Sequence, residues 1–497
     1  VVNRNPSSNI NINQKNIQSE KLILKSDKKY FQTFLIGLIL WLASLILFIN
    51  FPVTQITDGR FMLLLSHAVA FDKTTRLDPY FQNHQDLKPR PNFFYWWWQL
   101  SPKKNDKIIH SHNANWDGKD PLYYRYPNLP SFLSIPVVVA LNKLLDIKIV
   151  RDGNFSFPDE NLAHKIFAAI LCAFIIVEVF FLAKIILPTT WAVILTIVTG
   201  YGTQIVSTLS RGVWSDTWAV LISLLAIYHL LAHAIGKSRL QPIYLAIIST
   251  LAFFCKPNYA VIGIISVIYV GLNAIYSEDP KKKQILYWLI GGGLIGILIF
   301  FGYSIYQFGT FIPDYYIPAM QIKYIPEAIL GHTFSPSRGL FIYSSYLLMI
   351  IYFLFRYRKV CVAKILVKSS LLPILIIVFI SCAWQTWWGG HSYGPRLIIP
   401  LLPFTILLSL IACNAFYNFQ KQNNYKNIKT RIKIENGLLI ITCLVSMLIN
   451  IHGAREPKTW FEWFYKPYPV FNNPNKRIWD WSDPQFLAGI KKRSFEK

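Results

Sequence analysis

Apolar blocks of about twenty residues recur along this chain, the first starting at Phe34 and the last ending at Ile451. A helix of that length crosses a hydrocarbon core of about 30 Å. The repetition therefore predicts an all-α polytopic membrane protein. Composition agrees, with 53% of residues hydrophobic and only 15% charged, where a soluble domain carries about 25% charged. The formal net charge of +25 raises nucleic acid as a partner. The basic residues, however, fall in short clusters between apolar blocks, the pattern of cytoplasmic loops and of contact with anionic membrane lipids. No nucleic-acid partner is expected.

Spans are predicted at about 34–50, 163–186, 190–208, 213–233, 241–255, 258–276, 285–306, 340–355, 366–384, 397–418 and 437–453, eleven in all. Residues 1–33 read as a disordered cytoplasmic tail, with Lys21, Lys25, Lys28 and Lys29 holding the N-terminus inside. The first block follows these polar residues without a small-residue cleavage site and reads as a retained helix. Four basic loops, around Lys237, Lys282, Arg358 and Lys429, are all cytoplasmic if residues 131–147 lie in the outer interface instead of crossing. That topology makes 34–453 the transmembrane domain, 51–162 a large first outer loop with interfacial helices, and 454–497 an outer-face tail.

The polar groups that this topology gathers on the outer face come from five segments: Asp58, Arg60, His67, Asp72, Asp117, Asp120 and Arg125; Arg211 and Asp216; Lys256; Asp314, His332 and Arg338; and His391 and Arg396. Ionisable groups at the edge of the bilayer are costly and usually functional, so a cavity of mixed charge is expected there. Structural roles compete for several of them. Lys256 suits snorkelling to the headgroups, Asp216 suits a helix cap, and His67 and His391 suit packed structural histidines. The six cysteines form no CxxC pair and no HExxH motif is present, so no metal centre is expected, and only a loosely held divalent cation stays open. Asp58 is the sharpest candidate, a carboxylate at the membrane lip that can act as general base, with Arg338, Arg396 and Lys256 as cations for a phosphate leaving group.

In combination these features resemble the GT-C superfamily of membrane glycosyltransferases, which use polyprenyl-phosphate sugars. The resemblance rests on the acidic residue after the first helix, on YYRYPNLPSFLSIP (123–136), and on SPSRGLFIYS (335–344) and WWGGHSYGPRLIIPLLPF (387–404). It implies a GT-C fold with Asp58 as catalytic base and no required cofactor. Substrate contacts would come from Arg338, Arg396, Lys256, Asp216, Arg125, Tyr126 and His391. It further implies a polyprenyl-phosphate-linked sugar and a lipid or glycan acceptor, met at the outer face of the plasma (inner) membrane. Two departures stand out: Gly59 follows Asp58 where many relatives carry a second acid, and Asn128 replaces the second proline of a YPPG segment. A transporter or lipid flippase is the competing class, although the chain shows no internal repeat.

Overall fold

The computed structural model describes residues 30–81, 100–104, 107–108, 120–276, 280–317, 319–422 and 426–490. The lysines before Tyr30 and Asp117 lie outside the described residues, as does the side chain of Asp314. In hydrocarbon every backbone N–H and C=O needs a partner within its own segment, and the apolar blocks accordingly form helices. The chain runs through α1 (Tyr30–Asn50), α2 (Met62–His67), α3 (Leu129–Leu145), α4 (Phe157–Lys184), α5 (Thr189–Tyr201) and α6 (Gln204–Ser207). Next come α7 (Ser215–Ala234), α8 (Pro242–Cys255), α9 (Val261–Ile275), α10 (Pro280–Phe308) and α11 (Ile325–Phe334). The last are α12 (Leu340–Tyr343), α13 (Tyr346–Arg356), α14 (Lys364–Ala383), α15 (Leu402–Gln422) and α16 (Lys426–Arg455).

Among the described residues, eight of these helices are long and apolar enough to cross a bilayer, or nine if the bent pair around α5 and α6 is one span. Eleven crossings are expected from the sequence. The two that fall short are α8, with 14 residues, and α13, with 11. At about 1.5 Å per residue they rise about 21 and 17 Å. Local chemistry ends both. Pro257 follows α8 by two residues, and Ser344, at φ −133° and ψ 59°, separates α12 from α13. The segment expected at the interface is α3, a 17-residue helix containing Pro136. The Ser66 hydroxyl donates to the Ser131 carbonyl at 2.7 Å, and Trp218 Nε1 donates to Ser134 Oγ at 3.1 Å, fixing α3 against α2 and α7.

The first loop also holds small antiparallel sheets that the hydrophobic pattern does not signal. One has the order β2 (Lys107–Ile108), β1 (Leu100–Lys104), β3 (Leu122–Tyr124), and the other pairs β4 (Val150–Arg151) with β5 (Asn154–Phe155). With α2, α3 and the start of α4, this loop builds its own apolar core around Phe61, Leu64, Leu77 and Phe155. Along the membrane helices small residues set the closest contacts. Gly292 and Gly296 of α10 face Ala246 and Thr250 of α8 so closely that an added Cβ would overlap them.

After α16, residues 456–490 form a folded unit. Trp463, Phe464, Val470, Ile478 and Ala488 form one cluster with Trp387 and Trp388 of the 384–395 loop. Arg477, fully buried, lies 4.1 Å over Trp463 and pairs with Asp483 at 2.9 Å.

The polar groups divide between the two ends of the bundle. Asp58 follows α1, Glu160 opens α4, Asp216 opens α7, Lys256 closes α8 and Arg396 precedes α15, and ion pairs join these termini to one another. At the opposite end Lys237 Nζ donates to the Ile185 carbonyl at 2.6 Å, and Glu435 accepts from Tyr352, Tyr357 and Arg431.

Candidate active site

Two glycines let the segments around Asp58 meet. A Cβ on Gly59 would lie 2.2 Å from the Val213 carbonyl oxygen, and one on Gly212 would lie 2.4 Å from that of Gln55. A residue with a side chain in place of Gly59, a second acid included, would not fit. Arg211, 1% exposed, holds the approach to Asp58 by donating to the carbonyls of Phe48 at 2.7 Å and Phe51 at 3.2 Å. On the other side Arg60 pairs with Glu160 at 2.9 Å, and Glu160 also accepts from the Phe61 amide at 2.8 Å. Phe61 has φ +65°, a conformation disfavoured for a bulky residue. The Glu160 bond and the burial of its ring offset that cost.

Asp58 is therefore presented from a backbone fixed on both sides. Its carboxylate Oδ2 pairs with Arg396 Nη2, and its own carbonyl accepts from the Tyr124 hydroxyl at 2.8 Å. The carboxylate side chain is 32% exposed while Arg396 is 9% exposed. The guanidinium carbon of Arg396 sits 4.1 Å from the centroid of the Trp214 ring, an attractive cation–π placement. Of the sequence-predicted residues, Asp58 and Arg396 are thus brought into direct contact across 338 positions.

Two residues beyond Trp214, Asp216 pairs with Lys256 at 2.7 Å and accepts from the Tyr259 hydroxyl at 3.1 Å. Lys256 turns inward to this pair and not out to headgroups, and no N-cap bond from Asp216 is formed. Tyr126 packs edge-on against Tyr315 at 4.9 Å, and Tyr124 lies 5.7 Å from Tyr126. Burial pushes the hydroxyls of Tyr124, Tyr126 and Tyr315 well above their ordinary range, reinforced by neighbouring phenols at Tyr124 and Tyr126 and by Asp216 at Tyr315, so they stay neutral donors. The charge of Arg125 reaches Tyr315, and its Nε is buried with no hydrogen-bond partner. Asn128 donates to the Tyr303 hydroxyl at 2.7 Å, a bond that a proline at this position could not make.

Arg338 and His391 belong to a different structure. Arg338 is fully buried and donates to Trp388 O, Ser337 O, Gln485 Oε1 and Gly390 O, while Trp463 and Phe464 cover its guanidinium. Four of its five N–H donors are thereby directed at the chain itself, and it shares no partner with Asp58. His391 packs among Phe464, Tyr465 and Phe471. Burial, with a smaller contribution from Arg338, lowers its imidazole to about 4. Both residues fasten the C-terminal unit to the loop that leads to Arg396.

Trp214, Tyr259, Tyr315, Glu160 and Gln485 were not singled out from the sequence. Trp214 lies between the candidates Arg211 and Asp216, and Glu160 with His164 has i,i+4 spacing at the mouth of a span, which is a readable signal. Gln485 carries none, since its role comes wholly from tertiary packing. Among the described residues no three His, Cys, Asp or Glu side chains gather into a group able to hold a metal ion. Asp58 has an arginine for its neighbour, which does not make a divalent-cation donor set. A scan of protein-family models finds no match to the chain, and a search of the curated proteins finds none either.

Proposed function

We propose that this chain is a membrane glycosyltransferase of the GT-C type, crossing the bilayer eleven times, with its active site at the outer face of the plasma (inner) membrane. The observation that carries the reading is a partly exposed carboxylate, Asp58, held against a buried arginine, Arg396, at the bundle end away from the basic loops. In the reaction Asp58 takes the proton of an acceptor hydroxyl, on a lipid or a glycan, as that oxygen attacks the anomeric carbon. The bond to polyprenyl phosphate breaks with inversion, and its electron pair leaves on the phosphate oxygen. Arg396 and Lys256 stabilise that charge in surroundings where fixed cations act strongly. The tyrosines at 124, 126 and 315 offer ring faces and neutral hydroxyls to a sugar. Incubating membranes that contain the protein with labelled polyprenyl-phosphate sugars tests the class. Sugar transfer that Asp58→Asn abolishes supports it, and no transfer from any such donor refutes it.

One observation favours a transporter as the second reading. Glu178, inside α4, has both carboxyl oxygens buried with no hydrogen-bond partner, and buried acids within spans often serve ion coupling. Substrate uptake into proteoliposomes that Glu178→Gln stops would favour it.

A further inference from the structure

The Asp58–Arg396 pair conflicts with the chemistry proposed for it, and this inference rests on that proposal. A cation seated on Asp58 Oδ2 stabilises the carboxylate as an anion and so weakens its pull on a hydroxyl proton. A phosphate approaching Arg396 meets the like charge of Asp58 already seated on Nη2. The surroundings show how the conflict resolves. Arg396 Nε and Trp214 Nε1 are both buried without a hydrogen-bond partner, in side chains stacked 4.1 Å apart. Buried N–H groups left without an acceptor are costly and rare. The stack therefore has unused capacity for the oxygens of an anion. Asp58, a third exposed, is the more accessible member of the pair, whereas Arg396 is held by burial and by the indole face.

We infer that Asp58 and the phosphate of the donor lipid compete for Arg396, with Trp214 as a further binding residue. In the free protein Asp58 occupies the guanidinium. An arriving phosphate takes over that contact and draws on the spare donors of the Arg396–Trp214 stack. Asp58 is thereby released beside the acceptor hydroxyl. The base is armed only once the donor is seated, so the donor binds before the acceptor reacts.

The test measures binding of citronellyl phosphate, a short prenyl phosphate, to the full-length protein in nanodiscs, with thermal unfolding as a check on each variant. If Asp58 closes on Arg396 about nine-tenths of the time, Asp58→Asn binds this lipid about tenfold more tightly than wild type. Arg396→Ala binds it more weakly, and Arg396→Lys replaces it should the alanine variant fail to fold. Trp214→Phe, which keeps a ring but loses the N–H, also weakens binding. Unchanged or weaker binding by Asp58→Asn, beside weakened Arg396 variants, overturns the competition and leaves the phosphate site standing. Arg396 variants that bind like wild type remove the phosphate site itself. Inorganic phosphate serves as a parallel titrant, and equal affinity for it assigns the stack to free anions and overturns the lipid assignment.

Discussion

At the scale of the residue, Asp58 and Arg338 show how similar sequence signals separate in three dimensions. Asp58 reaches solvent and a cation, and Asp58→Asn should lower turnover by a factor on the order of 10² to 10⁴ while the protein stays folded. Steady-state transfer rates beside a thermal-unfolding curve check this. Arg338 reaches only the chain. Arg338→Ala removes one donor from each of four acceptors and opens a void, and should cost about 2–4 kcal/mol of stability, read as a lowered unfolding temperature. Both residues lie in polar segments beside apolar blocks, and the sequence assigns them to one site, Asp58 as the base and Arg338 as a cation for the substrate phosphate. What separated them was the folded unit after α16, whose Gln485 and Trp463 meet Arg338 from far along the chain. Hydrophobic periodicity carries no record of such a meeting. His391 adds a pH signature. Its imidazole is lowered to about 4 in the folded protein, against about 6.5 unfolded. Between those values the unfolded state binds more protons, so stability present above about 6.5 is lost as the pH falls toward 4. Unfolding temperatures across that window should fall for wild type and change less for His391→Phe.

At the scale of the element, the membrane helices were legible because their length and apolarity are local properties, and eight of them stand where the blocks predicted. The breaks were unevenly legible. Ser344 interrupts what reads as one block, whereas α8 ends at Cys255, where the predicted 241–255 block ends. A polar contact lies at each break. The Ser344 hydroxyl bonds the Gly202 carbonyl at 2.9 Å, and Lys256 turns toward Asp216. The loop from 55 to 61 is set by contact with the 211–213 turn, and that contact needs glycine. Gly59→Ala should destabilise by about 1–3 kcal/mol, because the blocking atom is a backbone oxygen that cannot rotate away. It should also lower transfer activity by moving Asp58, and comparing residual activity with the folded fraction separates the two effects.

At the scale of the whole molecule, the ends of the bundle differ in kind. One gathers Asp58, Arg396, Asp216 and Lys256, and the other carries the basic loops. With the basic loops in the cytoplasm, a cysteine replacing Asp152 in the β4–β5 turn should react with an impermeant thiol reagent from outside. One replacing Lys282 should react only after permeabilisation. The reverse pattern would turn the molecule over and place Asp58 in the cytoplasm. The C-terminal unit bears on assembly in time. Residues 456–490 leave the ribosome after every helix described here, yet Gln485 Nε2 donates to Ser392 O and Gln485 Oε1 accepts from Gly394 N, two residues before Arg396. A nascent chain interrupted after α16 would already be threaded through the bilayer while its 384–395 loop still lacked that support. Completion of the 384–395 loop thus follows insertion of α16, and a chaperone or protease that inspects residues 456–490 would be inspecting the support of the segment that leads to Arg396.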